Sequence, residues 1–125
     1  MEVLDECREW ARGRGKTLVI IHGDAGGGDQ IAKLYALLTP GVEQEPHPAS
    51  WEGPCNPRRC QPGHRRTNRR GREYCPAAGD YRNEEMVATG ADRGAAFIRA
   101  QSPGASNCAR LAERADIPTR KYTAD

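Results

Sequence analysis

Apolar residues along this chain recur at two different periods, and the alternation of those periods predicts helices and strands in turn. In residues 2–12, Val3, Leu4, Cys7, Trp10 and Ala11 fall at three- and four-residue steps, which predicts a helix. Gly13 and Gly15 end it. Residues 17–21 are a short β-branched apolar run, the pattern of a buried strand, and lead into a turn of small residues at 22–29. A second helix carries Ile31, Ala32, Leu34, Tyr35 and Leu38 and ends before Pro40 and Gly41. Residues 42–47 read as a weak, edge-like strand, because Pro46 and Pro48 limit its hydrogen bonding. A helix at 78–89, a strand at 95–98, a turn at 102–106 opening a helix through Ala115, and a strand at 119–122 complete the pattern. Strands alternating with helices predict an α/β fold with a mostly parallel sheet.

Residues 50–76 break this pattern, having almost no periodicity and few apolar side chains. They read as an irregular insertion within a single domain spanning 1–125. Hydrophobic residues make up only 37% of the chain and charged ones 29%, so the core is thin and something besides apolar burial must order part of it. No apolar run approaches the roughly 20 residues of a membrane span, and the N-terminus lacks the basic start and apolar stretch of a signal peptide. A soluble, cytoplasmic protein without a membrane partner is expected. Five cysteines, an odd number, argue against a complete disulfide framework.

Three of those cysteines bracket the insertion. Cys55, Cys60, His64 and Cys75 bring three thiols and an imidazole within 21 residues, on a loop whose prolines and glycine supply turns. Tetrahedral zinc takes such a donor set, and a closed four-ligand site is structural rather than catalytic. Free thiols or a single Cys55–Cys60 disulfide are the plainer alternatives. The same stretch carries Arg58, Arg59, Arg65, Arg66, Arg69, Arg70 and Arg72, although the net charge of the whole chain is only +2. These arginines are solvated surface, or close over a negative ligand, or contact nucleic acid, the last not being favoured. Trp51 either packs under the metal loop or stacks on a base. Cys7, Cys108 and Trp10 fall on helices and read as core.

The turn at 22–29 carries a different chemistry. An apolar strand, a turn of small residues and a helix start can bind phosphate, because glycine admits the anion close to the backbone and the helix start offers unpaired N–H groups. His22, Gly23, Asp24, Ala25, Gly26, Gly27 and Asp29 are its candidate ligand-binding residues, with Asp29 either capping the helix or bonding a ribose hydroxyl. The spacing matches neither the dinucleotide fingerprint nor a P-loop, so a tight turn without a ligand stays open. A second turn, with Ser102, Gly104, Ala105 and Ser106, also follows a strand and opens a helix. In a parallel sheet both turns lie at the carboxyl edge, where such folds bind ligands. Arg82 and Asn83 add a fork-shaped phosphate contact, or Arg82 is simply a surface residue.

These segments together resemble the SLOG superfamily, the Rossmann-like group that includes the Lonely Guy hydrolases. The resemblance is to its YspA-like branch, found in bacteria and in phages of actinobacteria. It rests on His22-Gly23-x-Ala25-x-Gly27-x-Asp29, His47-Pro48-Ala49-x-Trp51, Ala78-Gly79-x-x-Arg82-Asn83-x-x-Met86, Ala96-Phe97, Gly104-Ala105, and Leu111-Ala112-x-x-Ala115-x-Ile117-Pro118, in order from about residue 16 to residue 120. It implies a Rossmann-like sheet flanked by helices, a homo-oligomer, and a nucleotide-derived small molecule as partner. Members usually begin with a further strand bearing a Gly-Gly-Arg-type turn, which this sequence lacks. Lonely Guy enzymes carry a glutamate, in Gly-Thr-x-Glu, where Asn107 stands here, and an amide cannot act as a carboxylate base. Sensing or sequestering a phosphorylated, nucleotide-derived ligand is therefore the leading expectation, including a signal used in host defence if the source is a phage. A nucleotide phosphoribohydrolase or N-glycosidase, with Asp24, Asp29 or Glu84 replacing the missing acid, and a zinc-stabilised nucleic-acid-binding protein are the alternatives.

Overall fold

The computed structural model describes residues 2–25, 28–99 and 103–124. Its chain divides into two compact units, Met1–Pro48 and Ala49–Asp125. Helices and strands fall where the periodicity places them, with ends shifted by a residue or two. No helix among the described residues is long and apolar enough to cross a membrane.

The first unit contains α1 (Glu2–Gly13), β1 (Val19–His22), α2 (Gly28–Leu38) and β2 (Glu43–Pro46). Glu2 and Asp5 in the first turn of α1 and Arg12 in its last complement the helix dipole. The helix closes with Gly15 at φ +67°, so that the Lys16 N–H reaches the Ala11 carbonyl at 2.9 Å and the Gly15 N–H reaches that of Arg12 at 3.0 Å. Such a left-handed residue satisfies carbonyls that the helix end leaves open. β1 and β2 pair in parallel, from Val19 opposite Glu43 to His22 opposite Pro46, with α2 as the crossover. β2 is polar and largely exposed, as the prolines led one to expect of an edge. Ala11, Ile20, Ala36 and His22 are buried, whereas Ile31, Leu34, Leu37 and Leu38 of α2 are 49–72% exposed.

The second unit contains β3 (Arg66–Thr67), β4 (Glu73–Tyr74), α3 (Ala78–Thr89), β5 (Gly94–Arg99), α4 (Pro103–Arg114) and β6 (Thr119–Ala124). β5 and β6 pair in parallel through α4, from Gly94 opposite Thr119 to Arg99 opposite Ala124. α3 packs on α4. Small residues fill the core here: Ala96, Ala109 and Ala112 with Ile117, and a separate cluster of Cys60, Cys75 and Ala78 against which Ala49, Cys55, Ala77 and Tyr81 pack.

Two expectations change in detail. Among the described residues, the expected mostly parallel sheet takes the form of two parallel pairs and one antiparallel pair, each two-stranded. The segment 50–76 is not irregular throughout, because β3 and β4 form a small hairpin with Arg66 opposite Tyr74 and Thr67 opposite Glu73. Its tip is held by Asn68, whose Oδ1 accepts the N–H groups of Arg70 at 2.9 Å and Arg72 at 3.1 Å, and by Gly71 at φ +76°. Strands of two residues are too short to leave a period in the sequence.

Candidate metal centre and glycine turn

Cys55 and Cys60 lie on the loop ahead of the hairpin, and Cys75 follows β4 at the entry to α3. Their three sulfurs lie within 4.8 Å of one another and can hold a metal ion. Cys60 and Cys75 are buried, with sulfurs 3.7 Å apart, and neither they nor Cys55 form a disulfide. Two thiolates about 2.3 Å from one tetrahedral zinc ion stand about 3.8 Å apart, whereas a disulfide requires about 2.05 Å. The spacing fits a shared cation.

Hydrogen-bond donors converge on the same sulfurs. Arg65 Nη1 approaches Cys55 Sγ at 3.8 Å and is anchored on the Gly53 carbonyl at 2.7 Å. The Tyr81 hydroxyl donates to Cys60 Sγ, and the Ala77 N–H bonds the Cys75 sulfur. Burial raises the Cys75 thiol, but hydrogen bonds from Cys55, the Ala77 N–H, Cys60 and Tyr81 outweigh it and hold Cys75 below its ordinary value. Burial, reinforced by Cys75 and opposed by Arg65, pushes the Cys55 thiol up. The bond to Cys60, burial, and the charge of Cys60 and Cys75 push the Tyr81 hydroxyl up to about 12, so it stays a donor.

His64 does not join this set, because its ring nitrogens fall outside the converging group. Its Nε2 is nevertheless buried without a hydrogen-bond partner among the described residues. Leaving such an atom unsatisfied is costly, which makes it an exception needing a cause.

In the glycine turn, β1 delivers a buried His22 whose ring bonds on both sides. Nε2 lies 2.8 Å from Gln44 Oε1, and Nδ1 accepts the Asp24 N–H at 3.0 Å, which assigns the proton to Nε2. Asp24 sits at φ +51°, a left-handed conformation that aspartate tolerates better than most residues. Its Oδ1 accepts from Lys33 Nζ at 3.2 Å and Gln30 Nε2 at 3.4 Å. The Lys33 bond, opposed by partial burial, holds the Asp24 carboxyl below its ordinary value. Asp29 Oδ2 accepts the Ala25 N–H at 3.2 Å, and Gln30 donates to the Ala25 carbonyl at 2.7 Å. Asp29 thus closes the turn on itself. Gly23 is buried, and Gly26 and Gly27 lie outside the described residues.

The second turn belongs to the other unit. Ser102 lies outside the described residues, and Gly104, Ala105 and Ser106 form the first turn of α4. Asn83, 4% exposed, donates Nδ2 to the Gly104 carbonyl at 3.2 Å and to Asn107 Oδ1 at 3.1 Å, while its Oδ1 accepts Arg82 Nε at 2.8 Å. Trp51 lies against Gly79, where a Cβ would come 3.2 Å from Trp51 Cη2 and 3.7 Å from Arg82 Nη2. The indole meets Tyr74 edge-on, with centroids 6.3 Å apart, and stays 46% exposed. An open groove of about 710 Å³ runs along Ala49, Ser50, Trp51, Glu52, Asn68 and Tyr74.

No protein-family model matches this chain, and no solved structure matches it. Over 109 residues, 84% of this chain and 71% of the relative, it is 36% identical to the Gene 61 protein of Mycobacterium phage D29. The chain belongs to that protein's family. A mycobacteriophage relative fits the phage origin that the resemblance implied, and the name of the Gene 61 protein states no activity.

Two residues of this Gene 61 family member escape a reading that stops at Asp29. Gln30 and Lys33 both bond the turn, and the available signal is the four-residue step from Asp29 to Lys33 along α2. The arginine run also divides. Arg59 pairs with Glu84 and lies over the Tyr81 ring at 5.1 Å, Arg65 binds the Gly53 and Glu52 carbonyls, and Arg72 pairs with Glu52 at 3.2 Å. Arg58, Arg66, Arg69 and Arg70 are exposed, and their side chains have no partner among the described residues.

Proposed function

We propose that this protein is a zinc-ordered binding protein that takes up a phosphorylated, nucleotide-derived small molecule and leaves it intact. The zinc half is carried by the 3.7 Å separation of the Cys60 and Cys75 sulfurs inside a cluster with Cys55. His64 stands outside the cluster, and its buried, unsatisfied Nε2 supports a turn of that imidazole onto the metal as fourth ligand when zinc is taken up. A closed site of three thiolates and one imidazole selects zinc and leaves no open position for catalysis, so its work is to tie the loop to α3.

Ligand binding is supported by the β1–α2 turn. Its described residues Asp24 and Ala25 are held by bonds from His22, Asp29 and Gln30, and the start of α2 favours negative charge. Lys33 is the cation at hand, shared at rest with Asp24 and released to a phosphate on binding. By sequence alone, Gly23, Gly26 and Gly27 are the small residues that would admit the phosphate, and in the second unit, taken by itself, Gly104, Ala105 and Ser106 form another helix start. The resemblance to SLOG proteins, with their Rossmann-like sheet, names the ligand class. It also suggests a phage product that sequesters a host signal in the host cytoplasm. The exposed Ile31, Leu34, Leu37 and Leu38 face of α2 supports a homo-oligomer.

Intact binding is favoured over hydrolysis by where the acids are. Asn107 is an amide whose oxygen already accepts from Asn83. Asp24 pairs with Lys33, Asp29 takes the Ala25 N–H, and Glu84 pairs with Arg59. A panel of nucleotides, NAD derivatives and cyclic nucleotides, incubated with the protein and followed by mass spectrometry, tests the reading. One compound depleted from solution and recovered intact after denaturation supports it. Recovery as base plus ribose phosphate makes the protein a hydrolase, and no depletion at micromolar concentration removes the ligand reading.

A further inference from the structure

We propose that the β3–β4 hairpin and Trp51 form a binding surface for single-stranded nucleic acid, separate from the glycine turn. The charge comes first. Of the seven arginines between residues 58 and 72, Arg59, Arg65 and Arg72 are spent on acids and carbonyls of their own unit. Arg58, Arg66, Arg69 and Arg70 are left with exposed, unpaired guanidinium groups among the described residues. Such groups match a phosphate backbone by charge and by shape.

Their placement is built rather than loose. Asn68 binds the Arg70 and Arg72 N–H groups and fixes the hairpin tip, so Arg69 and Arg70 project from a defined turn. Arg66 stands directly opposite Tyr74 in the antiparallel pair, and cross-strand partners share a face of the ribbon. Tyr74 lines the groove together with Trp51 and Asn68, which brings Arg66 to the groove side. The groove's carboxylate, Glu52, is already neutralised by Arg72. What the groove presents is a half-exposed indole braced by Tyr74 and Gly79, beside unpaired cations.

Aromatic faces that accept bases and arginines that track phosphates together select a single strand, whose bases are free to stack. A duplex keeps its bases paired and uses only the charge. An acidic protein likewise uses only the charge and leaves Trp51 idle. The surface rests on the zinc reading in one respect, since the metal loop carries the hairpin.

The test is fluorescence anisotropy with a labelled twelve-nucleotide oligothymidylate and the full chain, across salt from about 50 to about 200 mM, with zinc content measured on the same sample. Binding should be steeply salt-dependent. The triple variant Arg66→Glu, Arg69→Glu, Arg70→Glu, keeping the wild-type melting temperature, should bind at least tenfold more weakly. Its log–log salt slope should flatten by about 2, at about 0.7 per lost phosphate contact. Trp51→Ala should weaken binding about fivefold or more, and Trp51→Phe should restore most of it. No binding at 50 mM salt, or a triple variant that binds as well as wild type, overturns the proposal. So does equal affinity for the matching duplex, or equal competition by polyglutamate, with Trp51→Ala unaffected. A chain that holds zinc and binds no oligothymidylate sinks this surface alone, and a zinc-free chain that binds through these arginines sinks the zinc reading alone.

Discussion

Asn83 donates one amide hydrogen to Asn107 Oδ1 at 3.1 Å and directs its amide nitrogen equally at the Gly104 carbonyl, 3.2 Å away. A single buried side chain thereby ties α3 to the first turn of α4. Removing it strands two acceptors, so Asn83→Ala should lower stability by about 1–3 kcal/mol in urea unfolding. Asn83→Asp should cost more, because a carboxylate has no hydrogen to give and meets two oxygens. An Asn83→Ala protein as stable as wild type would show that the bridge carries no weight.

A gain is expected at the far end of α4. Asp116 sits at φ +60°, where the Ile117 N–H returns to the Ala112 carbonyl at 3.0 Å and the Asp116 N–H to that of Glu113 at 3.1 Å. α1 solves the same geometry with Gly15, which adopts it without strain. Asp116→Gly should therefore raise stability by about 0.5–1 kcal/mol, read as a higher urea midpoint at an unchanged slope.

The Asp24 carboxyl reports on Lys33. Its value in the folded chain lies below 3.8, chiefly through the Lys33 hydrogen bond. A depressed carboxyl contributes stability above its unfolded value and loses that contribution as pH falls through the depressed one. Titration of the Asp24 side-chain carbon by NMR should give a midpoint below 3.8 in wild type and one near 3.8 in Lys33→Ala. A bound phosphate that draws Lys33 away should raise the wild-type midpoint in the same direction.

The apolar face of α2 makes a claim about assembly. Leu34 and Leu38, 55% and 72% exposed, stand one helical turn apart. Light scattering should find an oligomer for wild type and a smaller species for Leu34→Glu, Leu38→Glu with its circular dichroism intact. A monomeric wild type would remove the oligomer from the account.

Much of the frame is legible in the sequence because long elements leave strong periods. The three- and four-residue steps of Val3, Cys7 and Trp10 mark α1, and the prolines at 46 and 48 mark β2 as an edge. The hairpin is not legible, because Arg66–Thr67 and Glu73–Tyr74 hold too few positions to alternate. The cysteine spacing predicts the sulfur cluster but not that His64 stands apart from it, since spacing constrains reach and not the orientation of a ring. The role of Lys33 is not legible, because it depends on a left-handed Asp24, a backbone state that composition does not reveal.

Substitution with cobalt(II) tests the metal centre most directly. The protein purified without added metal should contain one zinc ion per chain. Its cobalt form should show the intense visible bands of a tetrahedral site and thiolate charge-transfer bands of three sulfurs. Cys75→Ser should lose both signals and melt roughly 10 °C lower, consistent with a metal that contributes folding energy, while Cys108→Ser keeps both. A metal-free wild type whose melting temperature is unmoved by zinc, cobalt or a chelator would contradict the account.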